Sequence, residues 1–248
     1  MINKKRNSLI VNCSSTKLKK SSLSNILRTE GKEIGSFKRE HENFIMLIGG
    51  GISNEREISL MSCDKIARSL VELDHNLIFV DVGDDIAAVF TMFRPIKIYN
   101  GMHGLHGEDG CLPAILNLMK IPYTGSGVCA SSICFNKKIA LDIFKANDIP
   151  VAYSVIIKKG ELIKEEPIKR PYVIKPLSQG SSIGVEVISS GDKFNLKDYK
   201  FPYGDIIVEE YIQGREIQVA LLNGKAMGTI ELKLTNNKLF IDYEAKYT

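Results

Sequence analysis

The chain has 248 residues, 44% of them hydrophobic and 25% charged, which is ample material for a packed core, and no apolar run approaches the length of a membrane span. The net charge of +4 is uneven: residues 1–43 hold ten basic and four acidic residues, the remainder 23 basic and 25 acidic, so no basic face of the kind nucleic acid needs is expected. Five cysteines without CxxC spacing and four scattered histidines exclude a disulfide frame or zinc site and point to reduced thiols in the cytoplasm.

Residues 1–43 are rich in Ser, Lys and Asn and carry no acidic residue before Glu30. Such a composition buries too little apolar surface to offset chain entropy, so a mostly disordered basic extension is expected, with a transit peptide as the other reading. From Phe44 the periodicity sharpens. Phe44–Ile48 reads as a buried strand broken by Gly49–Gly51. A helix follows over about Asn54–Leu73, with Ile58, Met61, Ile66, Leu70 and Leu73 on one stripe. Leu77–Val82 and Ile96–Asn100 read as strands, with helices at Asp84–Arg94 and Leu112–Met119. Strands alternating with helices predict an N-terminal parallel-sheet α/β domain over residues 44–126. Residues 128–148 read as helical, punctuated by Asn136. Strands then follow at Ser154–Ile157, Tyr172–Lys175, Ile183–Ile188, Ile206–Tyr211, Glu216–Leu222, Met227–Leu234 and Leu239–Tyr243. A short helical stretch is expected near Asp192–Tyr199, and hairpin turns at Asn223-Gly224 and Asn236-Asn237.

Four motifs carry chemistry. Gly49–Glu57 (GGGISNERE) is a strand end, a glycine turn and a capped helix start, with Ser53 or Asn54 as the cap; it lacks the GxGxxG dinucleotide fingerprint. A carboxylate there, at the carboxyl end of a strand, could hold a ligand ammonium. His103–Gly110 (HGLHGEDG) places four ionisable groups among three glycines after another strand end; it suits a loop closing on a small polar ligand and equally a solvated surface loop. Tyr172–Gly184 (YVIKPLSQGSSIG) ends a strand on a lysine and adds a small-residue loop whose amides can approach phosphates. Ile207–Glu216 (IVEEYIQGRE) runs an apolar strand into paired acids, either a solvated edge or acceptors for an adenine amino group and ribose hydroxyls.

Together with PYTGSGVCASSICFNK and the terminal DYEAKYT, these segments, in this order from Phe44 to Thr248, resemble the D-alanine–D-alanine ligases of the ATP-grasp superfamily. The resemblance implies an α/β substrate domain followed by an incomplete ATP-grasp fold (α+β), with a central domain over 127–213 and the start of a C-terminal one over 214–248. It implies that ATP phosphorylates one D-alanine carboxylate and that the amine of a second attacks the acyl phosphate. On it, Glu55 binds the first D-alanine ammonium and His103 shapes that subsite. Lys137, Lys175 and the Gly180, Ser181 and Ser182 loop meet the ATP phosphates. Glu209 and Ile212 meet adenine, and Glu216 the ribose. Lys246 reaches the transferring phosphate, while Ser181 bonds towards Glu55 and Tyr247, the residue type expected for an amine acceptor.

The family's catalytic arginine, the ligands for magnesium (or manganese) and the second D-alanine subsite follow that tyrosine, one residue before the sequence ends. The expectation is therefore of a ligase-like chain that is inactive alone, unless a complementing C-terminal chain joins it; a homodimer is the other expected assembly, with neither nucleic acid nor membrane as partner. Two alternatives remain: a non-catalytic module binding nucleotide or D-alanine, and another ATP-grasp carboxylate–amine ligase.

Overall fold

The computed structural model of the chain describes residues 8–33 and 44–233. They fall into two compact units, Met1–Phe135 and Asn136–Thr248, so the helical segment 128–148 is divided at Asn136.

The first unit is a five-stranded sheet with helices. In chain order it holds β1 (Leu9–Cys13), α1 (Ser15–Lys20), α2 (Leu23–Glu30), β2 (Lys32–Glu33), β3 (Ile45–Gly49), α3 (Arg56–Glu72), β4 (Leu77–Asp81), α4 (Ile86–Phe93), β5 (Lys97–Asn100), α5 (Cys111–Leu118) and α6 (Val128–Phe135). The strand order is β2-β1-β4-β3-β5. Strands β3, β4 and β5 are parallel, as the alternation of strands and helices predicts. Their period of two sends Met46, Ile48, Ile78 and Val80 to one face, under Val89, Phe90 and Phe93 of α4 and Leu112 and Leu116 of α5. Leu47, Leu77 and Phe79 go to the other, under Leu60, Cys63 and Ala67 of α3. A sheet covered on both faces needs continuous apolar strands, and these sequences supply them.

Two expectations are corrected here. The expected disordered extension is, over residues 8–33, part of the fold: β1 pairs antiparallel with β4 along its whole length, and β2 pairs with β1, so two antiparallel strands extend the parallel sheet of β3, β4 and β5. Composition hides this because the lysines stay outside while Ile10, Val11, Leu18, Leu23, Ile26 and Leu27 are buried. Two side chains of α3 secure the segment. Asp64 accepts the Leu23 N–H at 2.9 Å, and Arg68 donates to the Leu18 and Ser21 carbonyls. The predicted stripe of α3 is also displaced. Ile58 is buried and Ile66 and Leu70 pack half-buried against the core as expected, but Met61 and Leu73 are exposed, and Ser59, Leu60, Cys63 and Ala67 supply the rest of the buried face.

The second unit comprises α7 (Lys137–Ala146), β6 (Ser154–Ile157), β7 (Tyr172–Pro176), β8 (Glu186–Ile188), β9 (Ile206–Glu210), β10 (Glu216–Leu222) and β11 (Lys225–Leu232). Asn136 caps α7 by accepting the Ile139 N–H. The expected helix near Asp192–Tyr199 is a single 3-10 turn, Leu196–Asp198. Strands β6-β9-β7-β8 form an antiparallel sheet, and β10-β11 a hairpin. The hairpin turns through Asn223 and Gly224, at φ 49° and 75°, the two left-handed positions of a type I′ turn. Tyr172, Ile174, Ile206 and Val208 point into the core. Alternation therefore turns Val173, Lys175, Ile207 and Glu209 to the opposite face. The strand expected at Leu239–Tyr243 and the turn at Asn236-Asn237 lie outside the described residues.

Truncating the fully buried Leu23 to alanine is expected to cost about 3 kcal/mol, read from denaturant unfolding; an effect below about 0.5 kcal/mol would return residues 8–33 to the status of a loose appendage.

Candidate functional site

In the first unit the two motif loops meet at the carboxyl ends of β3 and β5. Strand β3 ends at Gly49, and the N-cap of α3 is Glu55 rather than the expected Ser53 or Asn54; Ser53 instead forms the turn before the helix, its Oγ accepting the Glu55 N–H at 2.9 Å and its carbonyl the Arg56 N–H at 3.1 Å. Glu55 is thereby turned inward and is only 4% exposed. Gly104, at φ 70°, packs against it. A Cβ there would lie 2.5 Å from Glu55 Oε2, so glycine alone lets this backbone approach the carboxylate.

His103 is held at both nitrogens, with Nδ1 3.2 Å from Glu108 Oε1 and Nε2 3.2 Å from Ser62 Oγ. The Glu108 hydrogen bond raises the His103 pKa above its ordinary 6.5; burial opposes this, and the charges of Glu108 and Glu55 add to the rise. Burial alone would push Glu108 up, but the hydrogen bonds from His103 and the Gly104 N–H, together with the His103 charge, bring it below 4.5. The buried Glu55 carboxylate near an imidazole biased towards its cation is suited to a zwitterion, whose ammonium and carboxylate need opposite partners.

Behind this pair, Arg56 forks onto the fully buried Asp81 at 2.5 and 2.7 Å, and Asp81 also accepts the Gly51 N–H at 3.3 Å. The Asp81 hydrogen bond and charge, with a smaller contribution from Glu57, outweigh burial and raise the Arg56 pKa. This ion pair fixes the glycine turn from which Glu55 follows.

The second unit contains a cavity of about 880 Å³ whose lining includes Lys137, Lys175, Gly180, Ser181, Ser182, Glu209, Ile212 and Glu216. Those are all the residues assigned above to ATP except Lys246. Lys175 sits opposite Ile207 and Glu209 opposite Val173, so the two are diagonal neighbours on one face and form an ion pair. Lys137, at the start of α7, donates through Nζ to the Gln179 carbonyl at 2.6 Å, while its own N–H bonds the Leu177 carbonyl. Two lysines thus flank the loop after β7. In that loop Ser181 and Ser182 are consecutive left-handed residues, at φ 51° and 59°, a conformation costing non-glycine residues of order 1 kcal/mol and concentrated at ligand clamps. Glu216 opens β10, and Arg215 and Glu231 face each other at 3.8 Å along the same wall.

Lys246 and Tyr247 lie outside the described residues, and the expected contact of Ser181 with Glu55 joins two units that are each described by itself. The sequence reading overlooked Ser59, Ser62, Asp81, Arg215 and Glu231. The first two were legible in principle, since they follow Glu55 at i+4 and i+7 on one helix face.

The His103–Glu108 pair has a defined pH window. The raised His103 pKa contributes stability that is full below 6.5 and lost as pH rises through the folded value; the lowered Glu108 pKa contributes stability present above 4.5 and lost as pH falls through its folded value. Replacing Glu108 with glutamine is expected to lower the His103 pKa, read by NMR titration of the imidazole, and an unchanged pKa would remove the pairing.

A family model described as the D-ala D-ala ligase C-terminus matches residues 143–248. The chain is 52% identical over 220 residues to the D-alanine–D-alanine ligase of Rickettsia bellii (strain OSU 85-389), covering 88% of this chain and 68% of that protein. It is 52% identical over 208 residues to the Rickettsia massiliae (strain Mtu5) ligase, covering 84% and 64%. Among solved structures it is similar to the D-alanine–D-alanine ligase of Bacillus anthracis, with a TM-score of 0.68 and 26% identity, covering 83% of this chain and 69% of that one. The chain thus spans about two thirds of the length of these relatives, and with such identity it belongs to the D-alanine–D-alanine ligase family.

Proposed function

We propose that this chain acts in the ATP-dependent joining of two D-alanines, for peptidoglycan precursor synthesis, binding ATP in the cavity of the second unit and the first D-alanine between Glu55 and His103 of the first. The observation that carries the reading is the convergence of two lysines, a glycine–serine loop and two strand-borne acids on one cavity of nucleotide size.

The chemistry requires an anion to be stabilised at each step. The first D-alanine carboxylate attacks the terminal phosphorus of ATP, forming the carboxyl–phosphate bond and releasing ADP. The amine of the second then attacks the acyl carbon, and phosphate leaves as the amide forms. Lys137 and Lys175 supply fixed positive charge to the triphosphate, and the amides of the Gly180–Ser182 loop supply donors. Glu209 accepts from the adenine amino group, the backbone of Ile212 also meets adenine, and Glu216 accepts from the ribose hydroxyls. Glu55 holds the D-alanine ammonium while His103 closes the subsite, and Lys246 and Tyr247 complete the transfer site. Among the described residues, no group of three or more His, Cys, Asp or Glu is arranged to hold a metal ion; a bound magnesium (or manganese) ion would neutralise charge on the phosphates.

Binding tests the reading without reference to turnover. Lys175→Ala is expected to weaken ATP binding about tenfold to a hundredfold, the value of one charge-assisted contact, in calorimetric titration of the full chain. Unchanged ATP affinity in this variant, or no ATP binding by the parent chain, would contradict it. D-alanine tested against other amino acids separates this substrate from those of other carboxylate–amine ligases.

A further inference from the structure

Helix α3 presents an unusual buried face. Where an α/β helix ordinarily packs apolar side chains on its sheet, α3 places Ser59 and Cys63, both fully buried, one turn apart against the ends of two strands. The Ser59 hydroxyl is engaged twice. It accepts the Gly50 N–H at 2.9 Å and donates to the Gly101 carbonyl at 2.6 Å, bridging the turn after β3 to the turn after β5. Cys63 Sγ lies 3.6 Å from the carbonyls of both Ile48 and Gly101. A Cβ on either Gly49 or Gly101 would fall 2.4 Å from that sulfur, so both strand ends are bare where the helix meets them.

The same helix carries the ligand groups at matching spacing. Glu55 precedes its first turn, its backbone carbonyl accepting the Ser59 N–H at 2.9 Å, and Ser62 Oγ meets His103 Nε2. Positions 55, 59 and 62 therefore share one face. Glu55 follows the turn that Ser59 holds through Gly50, and His103 lies two residues after the Gly101 that Ser59 holds on the other side.

We propose that Ser59 is a positioning residue for the D-alanine subsite, its one hydroxyl setting the separation between the loop that delivers Glu55 and the loop that delivers His103. This rests on the reading of Glu55 and His103 as that subsite. A bound zwitterion spans both loops, so a shift of one against the other weakens binding even when each side chain is intact. A buried hydroxyl suits the task because it offers a donor and an acceptor at once, with no charge to solvate.

The test is D-alanine affinity of the full chain by NMR titration, with four proteins compared: parent, Glu55→Gln, Ser59→Ala and Ser59→Cys. Both Ser59 variants are expected to lose about tenfold or more in D-alanine affinity, keep ATP affinity within about twofold, and exchange the Gly50 amide faster while the amides of β3 stay protected. Cysteine has nearly the volume of serine but is a weak hydrogen-bonding partner. A packing role would let Ser59→Cys recover parental affinity, and that result overturns the proposal. Parental D-alanine affinity in Ser59→Ala, with affinity lost in Glu55→Gln, overturns it while leaving the subsite reading intact. Parental affinity in Glu55→Gln, or none in the parent, overturns the subsite reading and the proposal with it. If Ser59→Ala fails to give a dispersed amide spectrum, Ser59→Cys carries the comparison.

Discussion

Helix α3 begins just past the end of β3, and the short turn between them leaves backbone donors and acceptors where water has little access. Such groups must find partners or cost free energy comparable to a lost hydrogen bond each. The first unit meets this demand with side chains from helix and sheet: Ser59 for Gly50 and Gly101, Asp81 for the Gly51 N–H, and Arg56, neutralising Asp81, for the Gly51 carbonyl at 3.3 Å. Removing one member of a buried ion pair leaves the other charge stranded. The glycine turn is thus held by a network that also fixes where Glu55 points. The bonds that satisfy the turn and the bonds that orient Glu55 are one set.

The second unit solves a different problem, which is to gather positive charge around an open cavity without letting it disperse. Lys175 is paired with Glu209 across two strands, and Lys137 is tied to a loop carbonyl. Each lysine therefore has a defined location, and a polyanion could exchange these contacts for its own oxygens. The loop between β7 and β8 bends through consecutive left-handed serines, a strained shape that turns its backbone towards the cavity.

Much of this was legible in the sequence, and the exceptions have physical causes. Strands such as Leu77–Asp81 and the Asn223-Gly224 turn were legible because apolar alternation and left-handed propensity are local properties. The convergence of Lys137, Lys175, Glu209 and Glu216 on one cavity was legible only through motif order, since no local rule brings residues from α7, β7, β9 and β10 together. Residues 8–33 were misread because lysine-rich composition averages away six well-placed apolar side chains. The polar face of α3 was missed because the search for an apolar stripe favoured Met61 and Leu73 over Ser59 and Cys63. Partners fixed by tertiary pairing, such as Asp81 for Arg56, leave no trace in spacing at all.

In the function proposed above, D-alanine and ATP engage two separately built sets of residues. An amide chemical-shift map of the full chain, titrated first with D-alanine and then with ATP, tests it most directly. D-alanine is expected to move the resonances of Gly50–Glu55 and His103–Gly104, L-alanine to do so far less, and ATP to move those of Gly180–Ser182 and Glu209–Ile212. Shifts from D-alanine scattered over other surfaces, or equal responses to both enantiomers, would contradict it.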